Sequence, residues 1–215
     1  MDVIDLKKFI SEGNESIIIK DKIINNGIIN NFCFDILDDN FSSYKSLEIE
    51  NCIFQNVNFQ NIIGKNVLID IRNCQFINCE FDNIKMIYFL LELDKNIYKN
   101  CIFKNIYFRY TDEVGSVYHE KFEKCIFEKI YNYCQVTYCD IEIKQCKIKN
   151  VFCTGELEEI KFLNSKFYKF SLFGYIHDNV FDNIEFDEFI MKGGECIYEN
   201  EFINCEKEKV KFELL

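Results

Sequence analysis

The sequence predicts an all-β protein whose chain coils as a solenoid, with four short extended segments to each turn. Three observations carry this reading. Apolar residues two positions apart recur as pairs every five residues, near-copies of one tetrapeptide recur at longer intervals, and the composition excludes the helical alternatives. There is no proline, tryptophan or alanine beside 23 Phe and 12 Tyr, which rules out collagen, proline-rich linkers and alanine-rich bundles. With 215 residues and 48% hydrophobic content, the chain is long enough to bury a core as one domain.

The elements follow in chain order. Residues 1–29 read as an N-terminal cap: Leu6, Phe9 and Ile10 lie at helical spacing, Asp2 or Asp5 can start the helix and Gly13 can end it. Ile17 to Ile29 then forms an irregular first coil, and residues 30–215 form the repeat domain. In that domain Cys52/Phe54 is followed by Val57/Phe59, and Cys74/Phe76 by Cys79/Phe81 and Ile84/Met86. Cys101/Phe103 leads to Ile106/Phe108, Ser165/Phe167 to Phe170/Leu172, and Asn179/Phe181 to Ile184/Phe186 and Phe189/Met191. A period of five fits neither a helix, at about 3.6, nor a strand, at about 2.0. Residues two apart in an extended segment share a side, so each unit faces inward if the chain turns a corner between units.

The longer period is carried by Asn51-Cys52-Ile53-Phe54, Asn73-Cys74-Gln75-Phe76, Asn100-Cys101-Ile102-Phe103 and Lys124-Cys125-Ile126-Phe127, spaced by 22, 27 and 24 residues. Asn179-Val180-Phe181 and Glu201-Phe202 extend it. Four units of five make twenty, so two to seven extra residues are expected to loop out at corners, at Asp38-Asp39-Asn40, Asp94-Lys95-Asn96, 111–116, Thr154-Gly155-Glu156 and Lys192-Gly193-Gly194-Glu195. Gly193-Gly194 reads as a corner needing positive φ. The phase between Val136 and Phe162 is not assigned by pattern. Cys205 to Phe212 alternates as a last strand, with no helix after Phe202.

Units such as Cys-Gln-Phe-Ile-Asn, Cys-Glu-Phe-Asp-Asn and Ile-Glu-Phe-Asp-Glu resemble those of the pentapeptide-repeat family over residues 30 to 213. The resemblance implies a right-handed quadrilateral parallel β-helix, here of about nine coils and, at about 4.8 Å per coil, a rod of roughly 40 Å. The chain departs from the family in having Cys, Ile, Val, Asn or Ser where Ala is usual, and Phe where Leu is usual.

The candidate chemistry is sparse. Nine of the twelve cysteines (Cys52, Cys74, Cys79, Cys101, Cys125, Cys134, Cys139, Cys146 and Cys196) stand two residues before an apolar partner and read as reduced core thiols. Cys134, Cys139, Cys146 and Cys153 form the one dense set, but their spacing follows the repeat rather than a zinc motif. The two histidines, His119 and His177, read as ordinary surface residues. No phosphate loop or nucleophile elbow is present, so no catalytic, cofactor or metal residue is expected and the chain is not read as an enzyme.

Thirty-six acids against 25 bases give a net charge of -11, which argues against direct nucleic-acid binding. The start lacks an export signal and no apolar run spans a bilayer, so a cytoplasmic protein without membrane contact is expected. Residues 154–215 hold fourteen acids and seven lysines. Asp182, Glu185, Asp187, Glu188, Glu199, Glu201, Glu206 and Glu208 are the candidate acidic interaction face, and Phe212, Leu214 and Leu215 the candidate patch for an end-to-end homodimer. The leading reading is a rigid scaffold for a protein partner of unknown identity. The family resemblance implies an alternative, mimicry of DNA toward DNA gyrase, a type II topoisomerase; a small enzyme or thiol metal site ranks last.

Overall fold

The structure, a computed structural model, describes residues 3–4, 16–30, 33–34, 45–109, 115–193 and 196–213. Leu6, Phe9, Ile10 and Gly13, on which the expected N-terminal helix rests, lie outside that set. Val3–Ile4 is a strand paired with Ile28–Ile29, and Ser16–Lys20, Ile23–Asn25 and Ile28–Asn30 already pair in parallel with the following turn.

The corners set the architecture. Among the described residues, 22 non-glycine positions hold φ between 49° and 57°, and twelve of them are asparagine. They fall five apart within a turn, as at Asn51, Asn56 and Asn61 or Asn73, Asn78 and Asn83. The left-handed region penalises most side chains, and asparagine least among those with a Cβ, so each unit ends on a residue that can turn. The corners then stack: Asn100 donates to Asn78, Asn78 to Asn56 and Asn56 to Asn26, at 3.2, 3.2 and 3.0 Å.

Between corners lie nine three-residue strands, from Ile23–Asn25 through Gln75–Ile77 to Glu201–Ile203, stacked in parallel as one sheet. The remaining strands form an eighteen-stranded sheet that wraps the rest of each turn. Together they make a parallel β-solenoid. Between Val136 and Phe162 the registers settle the phase: Glu142–Lys144 pairs with Lys121–Glu123 on one side and Lys161–Leu163 on the other.

Two expectations change here. The four near-identical tetrapeptides do not form one column. Phe54, Phe76, Tyr98 and Phe122 stack as one ladder, and Phe59, Phe81, Phe103 and Phe127 as its neighbour. The interval of 27 is therefore one turn of 22 plus one unit of five, a step from the first ladder to the second. Nor do the extra residues loop out wherever turn chemistry is dense. Asn58–Arg72 and Glu80–Asp94 are fifteen-residue strands whose mutual register skips only Asn83 and Tyr88, so the chain bends while pairing continues. Thr154-Gly155-Glu156 lies inside the strand Val151–Glu158.

Turn length varies along the rod and is shortest in the second half. Equivalent corners at Asn51, Asn73 and Lys95 are 22 residues apart, whereas Asp140, Glu159 and Asp178 are 19 apart. The shorter turns share a glycine column at Gly155, Gly174 and Gly193. A Cβ on any of these would overlap the carbonyl oxygen of the turn before it, at Val136, Gly155 and Gly174 respectively. Gly155 and Gly174 also hold φ of 132° and 124°; Gly193 does not have positive φ, so close approach is what it requires. Gly194 is outside the described residues.

The core is built from the two ladders. Rings in the first stack at 5.0, 4.9 and 4.6 Å and in the second at 4.7, 4.7 and 5.1 Å, with edge contacts between them. Both ladders fall to isoleucine at Ile143 and Ile148 before resuming at Phe162 and Phe167. An apolar cavity of about 310 Å³ runs between the inward rows, and Phe81, Phe103, Phe122, Phe127 and Ile143 line it. Their partial exposure is therefore to the interior.

Polar residues at the small inward position bind the backbone around them. The amide of Cys52 donates to Cys74 Sγ at 3.4 Å, and Cys74 Sγ lies 3.2 Å from the Arg72 carbonyl. Asn96 accepts from the Cys74 amide at 2.9 Å and donates to the Ile71 carbonyl at 2.8 Å; Asn179 serves the Ile160 amide and Leu157 carbonyl in the same way. A thiol, amide or hydroxyl here satisfies backbone groups left at the corners, which a methyl cannot do. Cys52, Cys74, Cys79, Cys101, Cys125, Cys134 and Cys146 are buried, as the pairing pattern predicts. Cys139 and Cys196 are not; Cys139 ends a strand just before the corner at Asp140, and Ile141 takes the inward place.

Candidate functional site

The alternation that sends Ile106 and Phe108 inward sends Tyr107 and Arg109 outward, and repetition turns each outward position into a column. One column runs Ile63, Lys85, Tyr107, Tyr131, Phe152, Ser171, Ile190 and Lys211 by direct register. Beside it the rings of Tyr107 and Tyr133 lie 5.8 Å apart, Tyr133 and Phe152 4.8 Å, and Phe152 and Phe173 4.8 Å. The Lys192 ammonium sits 5.7 Å from the centre of the Phe173 ring. Tyr133 is 46% exposed. The corners bordering this side include Lys129, and Lys192 pairs with Glu213 at 4.0 Å. The result is an outward aromatic stack edged by lysines and Arg109 on an acidic chain.

The acids concentrate on another side. Glu48, Asp70 and Glu92 stack in one column, with Glu50, Arg72 and Asp94 in the next. Arg72 bridges two of them, with Nε 2.6 Å from Asp70 and Nη2 2.7 Å from Glu92. Burial raises the pKa of Asp70, and Arg72 opposes that. His119 Nδ1 stands 2.8 Å from Asp94 Oδ1. This column lies in the first half of the chain, where sequence reasoning placed no site, because acids 22 residues apart are neighbours only once the turn length is known.

The acids singled out from sequence are dispersed. Asp182 and Glu201 are on the three-residue-strand sheet, Glu185 and Asp187 on the next side flanking Lys166 at 3.3 and 3.8 Å, and Glu199 is a corner. Glu188 lends its carbonyl to the Phe170 amide, whereas Glu206 and Glu208 belong to the short 3-10 turn Lys207–Lys209, which interrupts the expected last strand. Phe212 is 51% exposed on Val210–Glu213; Leu214 and Leu215 lie outside the described residues. Cys134, Cys146 and Cys153 face the interior and Cys139 is half-buried at a strand end, and among the described residues these cysteines form no metal-ligand cluster.

Two interior residues, Glu120 and His177, carry titratable groups, and His177 reads as surface from sequence. Glu120 is fully buried at a small inward position, where its Oε1 accepts from the Asn96 amide at 3.0 Å and from Asn96 Nδ2 at 2.9 Å. Its Oε2 has no hydrogen-bond partner among the described residues, and burial pushes its pKa up to about 7. His177 is 7% exposed.

No family model matches the chain, and neither does any curated protein. Among solved structures it is similar to a trypsin-treated form of QnrB1, a plasmid-mediated fluoroquinolone resistance protein, at 10% identity over 87% of this chain and 92% of that one, with a TM-score of 0.34. At that level the likeness adds nothing to what the strand registers establish directly.

Proposed function

We propose that the protein is a non-catalytic solenoid scaffold that binds an acidic protein partner through its aromatic and cationic side. The observation that carries this is the outward stack of Tyr107, Tyr133, Phe152 and Phe173 beside Lys85, Arg109 and Lys192, on a chain of net charge -11. Stacked outward rings do nothing for the core, and aromatic residues with arginine are the types that anchor protein interfaces. The rigid ladder beneath holds them without ordering cost on binding. The test is affinity purification with wild type and a Tyr133→Glu/Phe152→Glu variant of unchanged melting temperature. A partner retained by wild type and lost by the variant supports the reading; identical retention by both overturns it.

The second reading is DNA mimicry toward a type II topoisomerase. The stacked Glu48, Asp70 and Glu92 favour it, since carboxylates repeat there at the spacing of successive turns. Arg72 and Lys166 weigh against it by neutralising acids in place. Inhibition of gyrase supercoiling by the purified chain, relieved by Glu48→Lys/Glu92→Lys, would favour this reading over the scaffold.

A further inference from the structure

Past the bend at Gly155, the strand Val151–Glu158 turns Leu157 into the core and leaves Glu156 and Glu158 facing out. The next turn lays His177 directly opposite Glu158. The imidazole is held on three counts. It is nearly buried, it lies flat on the Tyr198 ring at 4.9 Å and 3°, and its Nδ1 is 2.9 Å from Asp178 Oδ2. A hydrogen bond from Nδ1 to Asp178 leaves the Nε2 lone pair free, and Nε2 faces Glu156 Oε1 at 3.7 Å. Glu156 also takes a hydrogen bond from Thr137 Oγ1 at 3.4 Å. One ligand atom from each of Glu156, Glu158 and His177 lies within 4.8 Å of the other two.

We propose that Glu156, Glu158 and His177 Nε2 bind a divalent cation of the zinc class, with Asp178 as the residue that orients the imidazole. One imidazole nitrogen and two carboxylates suit a borderline cation, and three protein ligands leave room for water. A carboxylate behind a ligating histidine fixes its tautomer and raises its basicity, which is the arrangement of Asp178 here. The ligands come from two adjacent rungs, so the solenoid supplies the geometry and no loop has to close. The site is separate from the aromatic side and stands or falls independently of the scaffold reading.

The test is titration of chelator-treated full-length protein with Zn2+ by calorimetry and with Co2+ by absorption. One equivalent is expected, without the charge-transfer band of a thiolate ligand. Uptake should be lost in His177→Gln and in Glu156→Gln/Glu158→Gln; the two glutamates face outward, so the double variant leaves the fold intact. It should weaken on the order of tenfold in Asp178→Asn and stay unchanged in His119→Gln. Absence of uptake by wild type would overturn the site and leave His177 as the buried half of an ion pair with Glu156. Uptake undiminished in the double glutamine variant, or accompanied by a thiolate band, would overturn it equally.

Discussion

Glu120 occupies a place in its column where the polar residues both accept from and donate to the backbone of the preceding turn. Asn96, Asn179 and Asn200 each donate an amide proton to a carbonyl there, and Cys74 does so with its thiol. A carboxyl can do the same only when protonated. Burial is the largest influence on it, opposed by the Asn96 bonds and Tyr98, with Asp94 adding to the rise, and its pKa moves from 4.5 to about 7. Because the folded value lies above the unfolded one, its contribution is fully present below about pH 4.5 and is lost as pH rises through about 7. The expected size is roughly 3 kcal/mol at 1.36 kcal/mol per unit. Glu120→Gln, which carries a permanent donor, should raise the melting temperature at pH 8 relative to wild type, with the gap closing toward pH 4; a gap constant across that range would refute the assignment. The thiols make a second residue-scale expectation. Burial pushes Cys74 up to about 12, so it holds almost no thiolate at neutral pH. Disulfide-exchange reagents should label Cys74 and its buried neighbours only after denaturation, and rapid labelling of all twelve cysteines in the native protein would contradict the inward column.

A ladder is only as strong as its weakest rung, so substitutions differ by where in the stack they fall. Phe76 is buried between Phe54 and Tyr98 with edge contacts to Phe59 and Phe81, and Phe76→Ala should cost about 3–5 kcal/mol in urea unfolding. Phe76 and Phe103 both line the apolar cavity, but Phe76 is buried whereas Phe103 is only partly so; Phe103→Ala therefore removes fewer contacts, and its cost should fall below that of Phe76→Ala. Equal costs would mean that Phe103 is packed as tightly as Phe76 in solution. The glycine column gives the other element-scale test. Gly174→Ala forces a side chain to φ of 124° and into the Gly155 carbonyl, and a loss of at least about 1–3 kcal/mol is expected from the backbone alone. Gly64→Ala is a milder control, since the atoms in its way are the side chains of Met86 and Val67.

At the scale of the whole molecule, stacking converts local alternation into sides of distinct chemistry. Outward residues repeat at one spacing, about 4.8 Å per turn, so a preference of one unit becomes a column of rings or charges. The sides therefore differ even though the composition is mixed throughout. The two functional readings also differ in assembly. Mimicry joined end to end needs a two-fold dimer that buries Phe212, whereas the scaffold uses the long side and needs none. Sedimentation at micromolar concentration is expected to give a monomer, unchanged by Phe212→Glu. A dimer that this substitution dissociates would favour the mimic.

What the sequence determined by itself is the local unit. Residues two apart in extended chain share a side, and a left-handed residue must close each unit; both rules act within five residues, so Cys74/Phe76 and the corner at Asn78 are legible without any neighbour. The stacking partner of each unit was decided only by the tertiary structure. Phe103 carries the same local signature as Phe76, yet it belongs to the other ladder, because pairing is selected by hydrogen bonds between turns whose lengths vary from 30 to 19 residues. Glu120 and His177 show the same limit in their chemistry. A histidine beside aspartate reads as surface along the chain and nothing there marks the glutamate beside lysine as interior; only the turns stacked above and below remove them from water.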